Sequence, residues 1–188
     1  MARAGLDLRH GRTTFFWNPG HRRPEIHVDI IRLHKAEAKR LWRTFGKHHY
    51  LDGALHPGAT CYGAFIADEP IAFCAVLHFP HPQNKKIKKV HRVVTLPDYQ
   101  GIGVGTRFLN RIGELYTGQG FDFHLVTSAR NLVQALRNSP QWILKRRGRV
   151  GAGKNPTAIK GIVHSSDRNT YTFAYRSKRQ ARSPGDSG

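Results

Sequence analysis

The stretch that most constrains this chain is HRVVTLPDYQGIGVGTRFLNRIGELY, His91–Tyr116. A β-branched apolar run meets Pro97-Asp98, then Gly101, Gly103 and Gly105 at alternate positions, then Phe108, Ile112 and Leu115/Tyr116 at helical spacing. A strand, a glycine turn and a helix in direct succession bring backbone N–H groups together at a helix N-terminus. Without Cβ atoms in the turn, phosphate oxygens can approach those groups, and the arrangement predicts a pyrophosphate cradle. A dinucleotide fingerprint requires G-x-G-x-x-G on the first strand of a βαβ unit. Here the spacing is G-x-G-x-G, position 106 is Thr, and the strand is the fourth in order. A P-loop would end in Gly-Lys-Ser/Thr, which this stretch does not contain. A plain tight turn rarely needs three glycines with a helix immediately after them.

The flanking segments give the frame. Residues 1–24 mix Arg, Gly, Pro and aromatics without a period and read as a basic, irregular arm. Glu25–Leu33 has strand character, and the next segment turns helical, with Ala38, Leu41, Trp42 and Phe45 on one face and Gly46 as the stop. TCYGAFIAD and PIAFCAVLHF predict an antiparallel hairpin. HPQNKKIKK reads as a basic turn and VHRVVTL as the next strand. Beyond the glycine helix, Phe121–Thr127 is a strand and NLVQALRN a short helix with Ser128 as a candidate cap. SPQWILKRRGRVGAGKNPT reads as a loop, TYTFAYR as a last strand, and 177–188 as a disordered basic tail. The order β, α, β-β-β, α, β, α, β predicts one mixed α/β sheet with helices packed on it, over 25–176.

In that setting the glycine stretch resembles motif A of the GNAT acyltransferases, Gln/Arg-x-x-Gly-x-Gly/Ala. Gln100, Gly103 and Gly105 match it, Gly101 is a common companion, and VVTLPDYQ resembles the end of the family's fourth strand. The resemblance implies the GNAT fold, a mostly antiparallel sheet whose fourth and fifth strands splay apart. It implies acetyl-CoA as acyl donor, with pantetheine between those strands and pyrophosphate on Gln100, Gly101, Ile102, Gly103, Val104, Gly105 and Thr106. Backbone N–H groups at Val94, Thr95 and Leu96 would polarise the thioester carbonyl, and Asn131 would lie near the pantetheine. Transfer would be direct, without a covalent enzyme intermediate, and no metal is implied.

Direct transfer requires a base for the acceptor and a proton for the leaving thiolate. The nearest ionisable residue on the fourth strand is His91, whose ordinary pKa near 6.5 suits a base. The family's usual acid is a tyrosine on the helix after the fifth strand, but SARNLVQALRNSPQW has none, and Ser128 is the local hydroxyl. FGKHHYLDG supplies His49 and Tyr50 where this fold binds its acceptor. That His-Tyr element resembles, over a short span, the phage Mom-type DNA adenine-modifying enzymes.

Lys and Arg number 31 against 12 acidic residues, a formal net charge of +19. Such a field attracts polyanions. With basic blocks toward both ends, and Phe15, Phe16, Trp17 and Trp142 near two of them, it predicts nucleic acid, DNA or RNA, as partner or substrate. Three readings follow: a transferase acting on nucleic acid, a protein or small-amine N-acetyltransferase, and an inactive nucleic-acid-binding module of the same fold. No apolar run reaches the roughly 20 residues of a membrane span. Two cysteines in strand-like runs and no signal-peptide pattern suit a cytoplasmic protein. The acceptor atom, the acyl group and the oligomeric state stay open.

Overall fold

The computed structural model describes residues 12–17, 25–49, 54–149 and 169–176. Eight strands form one sheet: β1 (Arg12–Trp17), β2 (Ile26–Leu33), β3 (Thr60–Ile66), β4 (Glu69–His78), β5 (Ile87–Thr95), β6 (Asp122–Thr127), β7 (Trp142–Arg149) and β8 (Asn169–Tyr175), in the order β1-β2-β3-β4-β5-β6-β8-β7. All pairs are antiparallel except β5–β6. The helices are α1 (Lys35–Phe45), α2 (Val104–Gly118) and α3 (Arg130–Arg137). The single parallel pair is joined through α2, as a crossover requires. The result is the mixed, mostly antiparallel sheet with flanking helices expected from the sequence.

Two segments differ from their sequence reading. Residues 12–17, read as part of an irregular arm, form edge strand β1, paired with β2 from Arg12↔Ile31 to Trp17↔Ile26. The cause is Phe15, which is 4% exposed in the main core. Arg107 Nη1 also donates to the Phe16 carbonyl at 3.0 Å, tying this strand to α2. Residues 142–149, read as loop, form the other edge, β7. Its basic side chains hide the strand pattern, and cations on an edge hinder pairing with a second sheet. The sequence's basic turn is shorter than expected, since Ile87–Lys89 already belong to β5. The tail at 177–188 lies outside the described residues.

The sheet separates two apolar layers. On one face α2 and α3 cover Cys74, Val76, Val90, Phe123, Leu125 and Phe173. On the other, α1 packs over Phe73, Ala75 and Val94 through Ala38 and Phe45. Strand β5 contributes to both layers, and its register explains how. Val76 opposes Val90 and Ala75 opposes Arg92, so His91 is an extra residue, a β-bulge. A bulge bends its strand and increases its twist. Pairing of β5 with β6 stops at Val90↔Leu125, one residue before the bulge.

Candidate active site

Beyond Val90 the two parallel strands separate at the His91 bulge, while β6 keeps its pairing with β8 through Thr127. Between them opens a cleft of about 790 Å³, lined by Val90–Thr95 of β5, Leu125–Thr127 of β6, the glycine turn, and Ala129–Asn131 at the start of α3. His48 and His49, just after α1, complete the lining.

The free side of β5 offers few polar groups, and its pairing identifies them. Leu96 N–H donates to the Ile71 carbonyl at 3.0 Å, so its amide faces β4. The register Phe73↔Val94 and the alternation of an antiparallel ladder direct the Val94 amide to β4 as well. Of the three amides expected to polarise a carbonyl, Thr95 alone faces the cleft, joined by Val93. The reading of Val94 and Leu96 is therefore corrected: their N–H groups are committed to the sheet, and their side chains pack in the α1 layer. The Thr95 carbonyl is also taken, accepting from Gln100 Nε2 at 2.7 Å. Gln100 thereby braces the turn against the strand.

Each glycine of the turn has its own reason. Gly101 and Gly103 have φ of 78° and 85°, left-handed conformations that favour glycine. Gly103 is the N-cap of α2, and the first helical bond runs from Arg107 N–H to its carbonyl. The amides of Val104, Gly105 and Thr106 consequently have no partner within the helix. Gly105 permits close packing: a Cβ there would lie 2.7 Å from Thr95 Oγ1. Unpaired N–H groups at the positive end of a 15-residue helix, in a turn with space above both left-handed glycines, fit a pyrophosphate. The free edge at Val93 and Thr95 fits an extended amide-bearing chain. The residues present thus suit CoA.

Histidines gather at the mouth. His91 and His49 both line the cleft, as expected from the sequence, together with His48. The ring of His56 lies edge-on to His91 with centroids 6.4 Å apart. Burial pushes the His91 pKa below its usual 6.5, and the Arg92 cation, His56 and His49 push the same way. Its Nε2 is buried without a hydrogen-bond partner. A neutral imidazole with a free ring nitrogen can accept a proton at neutral pH. Among the described residues no group of three or more His, Cys, Asp or Glu could hold a metal.

Other expectations fare differently. Thr95, Gln100, Gly101, Gly103, Gly105, Thr106 and Asn131 line the cleft. Ile102 is 43% exposed on the turn and Val104 is fully buried beneath it, and neither side chain is among the lining. Ser128 neither lines the cleft nor caps α3, whose N-cap is Ala129. The hydroxyl that binds backbone there is Thr127 Oγ1, which accepts from Ala129 N–H at 3.1 Å. Tyr50 lies outside the described residues. Phe15 and Trp142 are core residues rather than stacking surfaces, and Trp142 Nε1 donates to Asn110 Oδ1 at 2.7 Å. The sequence reading missed Arg92, Tyr99, Arg130 and His48. Tyr99, in the 3-10 turn Pro97–Tyr99, is the one tyrosine among the described lining residues. Its place inside the quoted Pro-Asp-Tyr turn was the available signal.

The sequence profile of the Acetyltransferase (GNAT) family matches residues 27–136. No curated protein gives a significant match. Among solved structures, the chain is similar to a ribosomal-protein-alanine N-acetyltransferase from Escherichia coli, with 13% identity and a TM-score of 0.59, covering 86% of this chain and 98% of the other. An acetyltransferase of the GNAT family from Streptococcus pneumoniae gives 14%, 0.57, 78% and 97%. A spermidine N-acetyltransferase from Vibrio cholerae gives 8%, 0.58, 78% and 92%. At these identities the likeness is one of fold. The profile, however, spans more than half the chain and includes the strand, the glycine turn and the helix, so the protein belongs to the GNAT family of N-acetyltransferases, which use acetyl-CoA.

Proposed function

We propose that the cleft between β5 and β6 binds acetyl-CoA and that the acceptor is an amine on a nucleic acid. Acetyl-CoA would supply the acetyl group as a thioester. The amides of Val104–Thr106 would hold its pyrophosphate, Val93 and Thr95 would pair with the pantetheine chain, and the Thr95 N–H would donate to the carbonyl oxygen. His91 would take the proton from the acceptor nitrogen at a ring nitrogen, with His49 beside it in the lining. Tyr99, the one tyrosine among the described lining residues, would return a proton to the departing sulfur.

The observation that carries the acceptor reading is the charge of the lining. Among the described residues it includes Arg92, Arg130 and three histidines and no carboxylate. A polyamine or lysine acceptor is a cation, and a low-dielectric cleft without an acid would repel it. An exocyclic amine on a base is neutral and arrives on a polyanion that the net charge of +19 attracts. A protein α-amine is the second reading, favoured by its low pKa of roughly 7.7–8.0, which lets it bind uncharged. Incubation with acetyl-CoA labelled in the acetyl group separates the two. Label should enter oligonucleotides containing adenine, cytosine or guanine. Label in peptides or spermidine with none in DNA or RNA would overturn the nucleic-acid reading.

A further inference from the structure

Among the described residues, the helices leave the β5, β6, β8 and β7 part of one sheet face uncovered, although Ala174 there is buried among its neighbours. Helices α2 and α3 share one face, and α1 packs on β3 and β4 of the other. On that second face the register places Lys89 of β5, His124 of β6, Ala174 of β8 and Ile143 of β7 in one row, with Val126, Thr172 and Arg146 in the next. No described helix covers these rows.

This surface is cationic. Lys145 is the extra residue of a second bulge, between Leu144 and Arg146, and both it and Arg146 are exposed. His124 lies between Lys89 and Lys145: burial lowers its pKa, Asp122 opposes this, and the two lysines add to the lowering. Asp122, the acid on this side, is engaged by Asn84 Nδ2 at 2.7 Å. Among the described residues no carboxylate pairs with Lys89, Lys145 or Arg146. Lys89 Nζ instead lies 4.7 Å from the ring of Phe79, which is 39% exposed. The surface continues into the cleft, since Arg92 and Val126 belong to both.

We propose that this bare face of β5, β6, β8 and β7 is the track on which single-stranded DNA lies, its phosphates on Lys89, Lys145 and Arg146 and an unpaired base at the cleft. The proposal rests on the nucleic-acid acceptor reading above. An amine on a base stacked inside a duplex cannot reach a cleft between strands, so the acceptor must be unpaired. A flat basic face with an exposed aromatic ring suits a single strand, by charge and by stacking. The rows carry two neutral hydrogen-bonding side chains, Thr172 and His124, so they offer little to read a 2′-hydroxyl along a strand.

The test is fluorescence anisotropy with a labelled 20-mer of deoxythymidine. Thymine has no exocyclic amine, so binding is read independently of transfer. The triple variant Lys89→Glu, Lys145→Glu and Arg146→Glu should bind at least about tenfold more weakly, and its log–log salt slope should fall by roughly 2, at about 0.7 per phosphate contact in single strands. It should bind acetyl-CoA normally, which reports an intact fold. A control triple on the exposed side of α1, Lys35→Glu, Lys39→Glu and Arg40→Glu, makes the same charge change. Equal weakening in both triples would reduce the track to net charge, and wild-type binding by the face triple would overturn it. Markedly tighter binding of duplex DNA, or of a uridine 20-mer, would overturn the single-stranded DNA assignment. If transfer to DNA bases fails while the face triple alone loses binding, the acceptor reading falls and the track stands.

Discussion

Replacing Gly105 by alanine tests how the cofactor turn is held. The added Cβ would lie 2.7 Å from Thr95 Oγ1, 0.7 Å inside the 3.4 Å at which ordinary contact begins. Thr95 is β-branched and stiff about χ1, so much of the relief must come from α2 moving off β5. Overpacking of this kind costs about 1–3 kcal/mol. Alanine also stiffens the unfolded chain, a gain of about 0.4–1 kcal/mol at a compatible backbone. The clash wins, and the net loss of about 1–2 kcal/mol should lower Tm by a few degrees, at roughly 2–4 °C per kcal/mol for a chain of this size. The same displacement moves the Val104–Thr106 amides. Weakening one hydrogen bond to a charged group, worth about 1.5–3 kcal/mol, raises the Kd for acetyl-CoA about tenfold. Thr95→Ala removes Oγ1 and leaves Thr95 Cβ as the nearest atom, at an ordinary 3.8 Å. The double variant should therefore regain both Tm and affinity relative to Gly105→Ala. Calorimetric titration with acetyl-CoA and thermal melts of the four proteins check this. A Gly105→Ala protein that melts and binds like wild type would refute the argument, as would a double variant no better than the single one.

Gly103→Glu puts a carboxylate at the helix N-terminus and a Cβ on a φ of 85°. The backbone conformation costs about 1–2 kcal/mol, too little to unfold most domains, while acetyl-CoA binding should vanish; normal affinity in a folded variant would remove the pyrophosphate assignment. His91→Ala should depress turnover far more than affinity for acetyl-CoA, and should lack the acid limb that the kcat/KM profile of wild type is expected to have below pH 6.5. The folded-state pKa of His91 is depressed, so the unfolded chain binds more protons as pH falls through 6.5, and stability declines in that window. His124 acts in the same direction. Melts from pH 8 to 5 should show a shallower decline in His91→Ala, and an unchanged pH dependence would show that His91 titrates alike in both states.

Much of the frame was legible because it is periodic. The strand, turn and helix around the glycines announce themselves through β-branched residues, left-handed glycines and apolar spacing, and the hairpin β3–β4 reads as directly. The edge strands were obscured: Arg12 and Thr13 open β1 beside glycine and arginine, and half of β7 is basic. Polar edge strands look like loops, because one side of them needs no partner. At the site, Thr95, Gly103 and His91 were found from the motif and strand position. Which amides face the cleft was not, because that depends on register with β4, which local spacing does not encode. Tyr99 and Arg92 were overlooked because cleft lining is set by the divergence of two strands far apart in sequence. Ser128 looked like a helix cap, but the helix begins two residues later and Thr127 provides the backbone bond.

The extra residue at position 91 is also a phase slip. Before it, even-numbered residues of β5 face α2 and α3, as Val90 does; after it, even-numbered Val94 faces α1 and odd-numbered Val93 packs toward α2. A different side chain at 91 would leave both layers intact, since His91 belongs to neither. Deleting the residue would restore plain alternation, with Arg92, Val93 and Val94 still opposite Ala75, Cys74 and Phe73, so every later side chain would keep its layer while the bend was lost. Position 91 therefore contributes nothing to either layer; what it adds is the bend where β5 leaves β6, and its loss would straighten the strand at the cleft and spare the core.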